Sequence, residues 1–210
     1  MPAQRATSTT LAQRPPLTTL ARLASYVDHS GGMHGVQNAR RALRYAFDRS
    51  RSPVETSLAL LLGLPPLLGG YSLDGFELNR TASIDGRTDR ASAWRSHECD
   101  LLWQRQRVAL EYDSNAHHAR EADHVRDAKK RAALIGARFT VITVTRAQLY
   151  DYREFHKVAQ ALARALHVRL PRATAEFTRR QFETRRILLN PAGILRTSFP
   201  PNMWSVYAKD

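Results

Sequence analysis

The chain has one cysteine in 210 residues, Cys99, which excludes an intramolecular disulfide and any zinc site built from four thiolates. Long apolar runs are also missing. The greasiest stretch, LALLLGLPPLL (58–68), is broken by Gly63, Pro65 and Pro66 and is too short to span a bilayer. The first residues, MPAQRATSTTLAQRPPLTTL, lack the continuous apolar segment of a secretory signal, so a reducing, cytoplasmic setting is expected. Negative charge is scarce, with 19 acidic residues against 32 basic ones and a net charge of +13. Such a surplus points to a polyanionic partner, most simply nucleic acid, whose counterions are released as Lys and Arg neutralise phosphates. A basic protein without such a partner is the plainer alternative. A membrane partner is not expected, because no basic amphipathic helix stands apart from the fold.

What the sequence does contain reads as a globular α/β chain, with a hydrophobic share of 43%. Residues 1–16 are polar and end in Pro15-Pro16. Helical spacing follows at 17–32 and again at 36–47. SPVETSLALLL (52–62) carries unusually clear helix signals: Ser52 as cap, Pro53 at the first helical position, and Glu55 three residues after the cap. A strand or hairpin is expected within 69–84, then a polar loop at 85–97. ECDLLW (98–103) and RVALEYDS (107–114) read as two strands joined by a tight turn. A charged helix over 119–135 ends at Gly136, and FTVITVT (139–145) is a β-branched strand expected to be buried on both faces. FHKVAQALARALHV (155–168) is amphipathic. The predicted organisation is a helical extension over 1–50, an α/β core over 51–168 and a basic tail over 169–210, with a helix at 174–188 inside the tail. The core order, αβββαβα, implies a mixed β-sheet flanked by helices.

The chemistry concentrates in VALEYDSNAHH (108–118). Residues two apart on a strand share a face, so Glu111 and Asp113 project together, roughly 7 Å apart along the strand. Whether Asp100 joins them depends on the turn. A two- or four-residue loop places Asp100 opposite Glu111, and a three-residue loop turns it to the other side of the sheet. The even register is expected, with Cys99 then pointing into the layer opposite Asp100 as an inert core thiol. Carboxylates gathered on one face repel one another unless a cation sits among them, and hard oxygen ligands on a short hairpin suit Mg²⁺ or Mn²⁺. The plainer reading makes them exposed carboxylates of an edge hairpin, paired with nearby arginines.

The string SPVET…CDLLW…VALEYDS…HH…RDAKKRAALIGARFTVITVT resembles the PD-(D/E)XK nuclease superfamily, and within it domains similar to the very-short-patch repair endonuclease. The likeness covers about 51–150, roughly half the chain. It implies a restriction-endonuclease-like core and an endonuclease hydrolysing DNA phosphodiester bonds in restriction, repair or defence. The matching positions are the helical Glu55, the strand Asp100, Glu111 with Asp113, His118, and Asp127, Lys130 and Leu134 before Gly136. By that resemblance Asp100 and Glu111 hold Mg²⁺ or Mn²⁺, and Asp113 adds a ligand or positions water. One departure stands out: a full E-x-K motif has lysine where this chain has Asp113. Either a cation arrives from elsewhere, for which Lys129 and Lys130 both qualify, or the chemistry is weakened. An apolar stripe of Ala122, Val125, Ala132 and Ile135 leaves Lys129 at its edge, whereas the family-like pattern selects Lys130.

The remaining candidates each have a plainer alternative. Glu55 fits a capping box as well as a metal-site acid. His118 is a candidate for proton transfer or metal contact, with an intrinsic pKa near ~6.5, and otherwise a solvated residue at a helix start. Arg126, Lys129, Lys130 and Arg131 form a basic run beside the carboxylates, suited to phosphate contact or simply to a solvated helix face. The C-terminal arginines could extend that track. Cutting both strands would call for a homodimer, although the sequence carries no interface signal. The rival functions are a non-cleaving DNA-binding regulator or toxin–antitoxin component that retains the nuclease fold, and a protein-interaction module with incidental charge.

Overall fold

The structure, a computed structural model, describes residues 16–83, 98–113 and 121–189, with residues 121–124 and 126 described in backbone only. The chain divides into two compact units between Asp48 and Arg49.

In the first unit, α1 (Leu20–His29) is capped by Thr19, whose hydroxyl accepts the Arg22 N–H. The Leu20 N–H is taken up by the Asp48 carboxylate. The second helix, α2 (Val36–Leu43), stops four residues short of the predicted Phe47. Beyond Leu43 the backbone bonds tighten from i−4 to i−3, as Tyr45 N–H to Ala42 O and Ala46 N–H to Leu43 O, which unwinds the last turn. Val27 is the one buried apolar residue among those described in this unit.

The second unit is α/β, with a four-stranded mixed sheet flanked by helices. Helix α3 (Pro53–Gly63) forms where the cap signals predict it: Ser52 Oγ accepts the Glu55 N–H at 3.1 Å, and Pro53 opens the first turn. Leu58, Leu61 and Leu62 are fully or almost fully buried. A 3₁₀ turn over Pro66–Leu68 then reverses the chain. Gly70 is required there, because a Cβ would lie 2.1 Å from the Leu64 carbonyl oxygen. Strand β1 (Glu77–Thr81) occupies only the end of the predicted 69–84 region.

Strands β2 (Glu98–Trp103) and β3 (Val108–Asp113) form the predicted antiparallel hairpin. Helix α4 (Glu121–Gly136) then leads to β4 (Thr140–Thr145), which pairs parallel to β3. Sheet order is β1-β2-β3-β4, so β4 lies at an edge. This corrects the expectation that β4 is buried on both faces: only Val144 is buried, and Thr140 is exposed. The β-branched run reflects strand propensity, which an edge strand satisfies equally well.

A short helix, α5 (Arg146–Tyr150), starts in a capping box between Thr145 and Gln148, and α6 (Tyr152–Ala165) is capped by Asp151. Both pack on β4. The last helix, α7 (Ala175–Leu189), falls in the stretch read as a basic tail but belongs to this compact unit and packs against α3 and the 66–68 turn. Phe177, Thr178, Gln181, Phe182 and Arg185 are buried on its inner face.

Candidate active site

The β2–β3 hairpin has the register predicted for the even loop: Leu101 opposes Leu110, Leu102 opposes Ala109 and Trp103 opposes Val108. Residues 104–107 make the four-residue turn, closed by the Arg107 N–H to Gln104 O with Arg107 in the left-handed region at φ 54°. At Asp100 the ladder changes character. Its Oδ2 accepts the Tyr112 N–H at 2.7 Å, so a side chain, not a backbone carbonyl, closes this end of the hairpin.

Strand alternation is interrupted near the same place, at Cys99. This residue is fully buried with Leu102, Ala109, Leu134 and Phe139, the cluster formed under α4. Cys99 thus shares the cluster of Leu102 instead of following the parity of Leu101 and Trp103. Burial, and then the negative Glu111 beside it, push the Cys99 thiol up to about 12. It is a core thiol, as expected.

Glu111 is the centre of the site. Its Oε2 accepts from Lys130 Nζ at 2.7 Å, while its Oε1 is buried and has no hydrogen-bond partner. Burial raises the Glu111 pKa, the Lys130 ammonium opposes the rise, and Asp100 adds to it. Asp100 is likewise raised, chiefly by burial; the Tyr112 N–H lowers it, and the Glu55 charge raises it further. Asp100, Glu111, Lys130 and Glu55 therefore share one electrostatic neighbourhood. Asp113 lies half-buried one pleat beyond Glu111, where β3 pairs with Thr145 at the start of α5.

The convergence expected of Asp100, Glu111 and Asp113 is not seen in full. Among the described residues no three His, Cys, Asp or Glu side chains gather as a metal-binding group. Asp113 stands at the strand end, and Asp100 spends one oxygen on the backbone. Two carboxylates with one orphaned buried oxygen do fit a Mg²⁺-like ion, which is commonly held by one or two carboxylates with waters filling its remaining positions.

Lys130 reaches the Glu111 carboxylate, and Lys129 is exposed. Of the two helix faces the sequence leaves open, the structure turns inward the one with Lys130 and Leu134. Val125 and Ile135 are 49% and 58% exposed, whereas Leu134 is fully buried against the sheet. Lys130 and Leu134, one turn apart, share the inward face.

Glu55 acts visibly as a cap. Its Oε1 accepts from Ser52 Oγ at 3.1 Å, and its Oε2 accepts the Arg51 N–H at 2.9 Å and Asn79 Nδ2 at 2.7 Å. Asn79 had no part in the sequence reading, although an asparagine inside a strand is itself a signal, since strands disfavour it. Arg51 and Glu98 form a two-pronged ion pair nearby, at 2.5 and 2.7 Å.

His118 lies outside the described residues, as does the side chain of Arg126. Arg131 is exposed and donates to Thr143 Oγ1 at 3.1 Å. Three of the α7 arginines are engaged within the fold. Arg179 pairs with Glu176 and Glu183, Arg180 with Glu176 and the Leu67 carbonyl, and buried Arg185 donates to the Leu149 carbonyl. No helix among the described residues is long and apolar enough to cross a membrane. Comparison with known proteins gives no match to this chain among family models, curated proteins or solved structures.

Proposed function

We propose that the chain is a metal-dependent, endonuclease-like protein with a restriction-endonuclease-like core that hydrolyses DNA phosphodiester bonds. The observation that carries this reading is the Lys130–Glu111 ion pair. Asp113 stands where an E-x-K motif has lysine, and α4 supplies an ammonium to the same glutamate from another element.

Mg²⁺ or Mn²⁺ held by Asp100 and Glu111 would supply Lewis-acid polarisation of the phosphodiester and would favour attack by water. The protein's own groups then have distinct tasks. Lys130 favours the charged form of Glu111 and has further donors for a phosphate oxygen or the attacking water. Asp113 offers an acceptor that orients water on the solvent side of Glu111. The exposed Lys129 and Arg131 flank the site on α4 and suit phosphate contact, and the +13 net charge supports a polyanionic substrate.

The non-cleaving DNA-binding regulator is the second reading. It is favoured by the lack of a three-ligand metal group among the described residues. The deciding experiment is a plasmid and oligonucleotide cleavage screen with Mg²⁺ and Mn²⁺, comparing the wild type with Glu111→Ala. Cleavage by the wild type alone supports the nuclease. Identical cleavage by Glu111→Ala sinks the site. Salt-sensitive binding without cleavage supports the regulator.

A further inference from the structure

Asn79 is at odds with the strand that contains it. It lies within β1 yet adopts the left-handed conformation, φ 47°, and is 4% exposed. Asparagine tolerates that region better than other residues that carry a Cβ, but neither the conformation nor the residue type suits a strand. The consequence is a local loss of alternation, with Leu78 and Asn79 buried in succession.

The distortion turns the amide inward. Asn79 Nδ2 donates to the Arg49 carbonyl at 2.8 Å and to Glu55 Oε2 at 2.7 Å, so both amide hydrogens are spent. A capping glutamate does not need this help, because Ser52 and the Arg51 N–H already serve the helix end. The extra bond comes from a different element and fixes the Glu55 carboxylate at the stretch of β1 that lies across from Asp100, between the pairs Leu78–Leu101 and Arg80–Cys99.

We propose that Asn79 is a positioning residue, a role that rests on the cation-binding reading above. It clamps Glu55 beside Asp100, so that a fixed negative charge strengthens the hold of Asp100 and Glu111 on a divalent cation. Glu55 acts here through its field, not as a ligand.

Asn79→Gly is the sharp variant, because glycine keeps the left-handed backbone at little cost while losing the amide. Two readouts on the full chain decide the matter. In the metal-free protein, amide exchange at Arg51, whose N–H donates to the clamped carboxylate, should quicken at least about tenfold, while Leu101 in the hairpin stays protected. In a calorimetric titration with Mn²⁺, affinity should fall about tenfold, Glu55→Gln should do the same, and the double variant should be no worse than either. Unchanged Arg51 exchange overturns the clamp. Unchanged Mn²⁺ affinity, or effects that simply add, overturns its link to the cation. A wild type that binds no Mn²⁺ sinks the cation reading itself, and Asn79's cation role with it, whatever the exchange experiment shows.

Discussion

Lys130 Nζ lies 2.7 Å from Glu111 Oε2, joining the middle of α4 to the C-terminal end of β3. The two side chains are 24% and 20% exposed, so water screens this pair far less than the ion pairs on α7. The contact also resolves a chemical problem. Burial, and then the Asp100 charge, push Glu111 toward its neutral form, and a neutral carboxyl is a poor cation ligand. Lys130 opposes that shift, as does the Cys99 thiol, and Oε1 is the buried oxygen left outside any hydrogen-bond geometry.

Lys130→Ala should therefore lower DNA cleavage by about a hundredfold or more, the scale of losing a positioned proton-transfer or charge-stabilising group. It should also cost about 1–3 kcal/mol of stability, because Glu111 is left buried without its charged donor. Lys129→Ala should change neither by more than a small factor. Rates at saturating DNA and urea melts of the two variants check this; equal losses would remove the special place of Lys130.

Asp100 carries a pH signature. Its pKa is raised in the folded chain, so the native state holds the proton more tightly than the unfolded one. Stability then declines as pH rises from the ordinary carboxylate value, near ~4, through the raised one. Asp100→Asn keeps an oxygen for the Tyr112 N–H and removes the charge. It should raise the melting temperature by about 2–4 °C at pH 7, a gain that disappears below about pH 4, while abolishing cleavage. A variant less stable at pH 7 would show that ionised Asp100 is not under strain.

Much of this was legible in the residues themselves. The hairpin register followed from loop length and alternation, and the Ser52–Pro53–Glu55 signature placed the start of α3 correctly. Local chemistry decides both, so sequence reports both. The inward face of α4 was not legible. Val125, Ala132 and Ile135 outnumber Leu134 as apolar residues, but the sheet accepts Leu134 and Lys130, because what the helix meets is a carboxylate as well as a core. The helix expected at 174–188 is α7, but its place in the core was hidden by its basic composition: Arg179 and Arg180 pair with glutamates on the same helix, while Phe177 and Phe182 face inward. Asn79 was missed because a left-handed residue inside a strand leaves no periodic trace.

Cys99 makes a chemical prediction. The thiol is fully buried, and its pKa is pushed up to about 12. The thiolate, which is the reactive species, is then almost absent at neutral pH. A disulfide reagent such as dithionitrobenzoate should leave the native protein unmodified over hours and react within minutes in denaturant. Rapid labelling of the native chain would mean that the cluster under α4 opens readily.

The basic residues should not contribute equally to DNA binding. Arg179 and Arg180 are tied to Glu176 and Glu183 on α7, and two arginines hold the Glu176 carboxyl down at about 2. Recruiting either arginine to a phosphate would first break these pairs. Lys129 and Arg131 lie exposed on either side of Lys130, next to the proposed site, with Arg131 donating to the neutral Thr143 hydroxyl. Lys129→Ala and Arg131→Ala should each weaken DNA binding across unrelated sequences and each lower the slope of log affinity against log salt by about 1. Arg179→Ala and Arg180→Ala should leave that slope unchanged. Fluorescence anisotropy of a labelled duplex over a salt series measures all four. A slope that responds to the α7 variants but not to the α4 variants would move the nucleic-acid surface away from the carboxylates, and cleavage at Glu111 would then have no substrate brought to it.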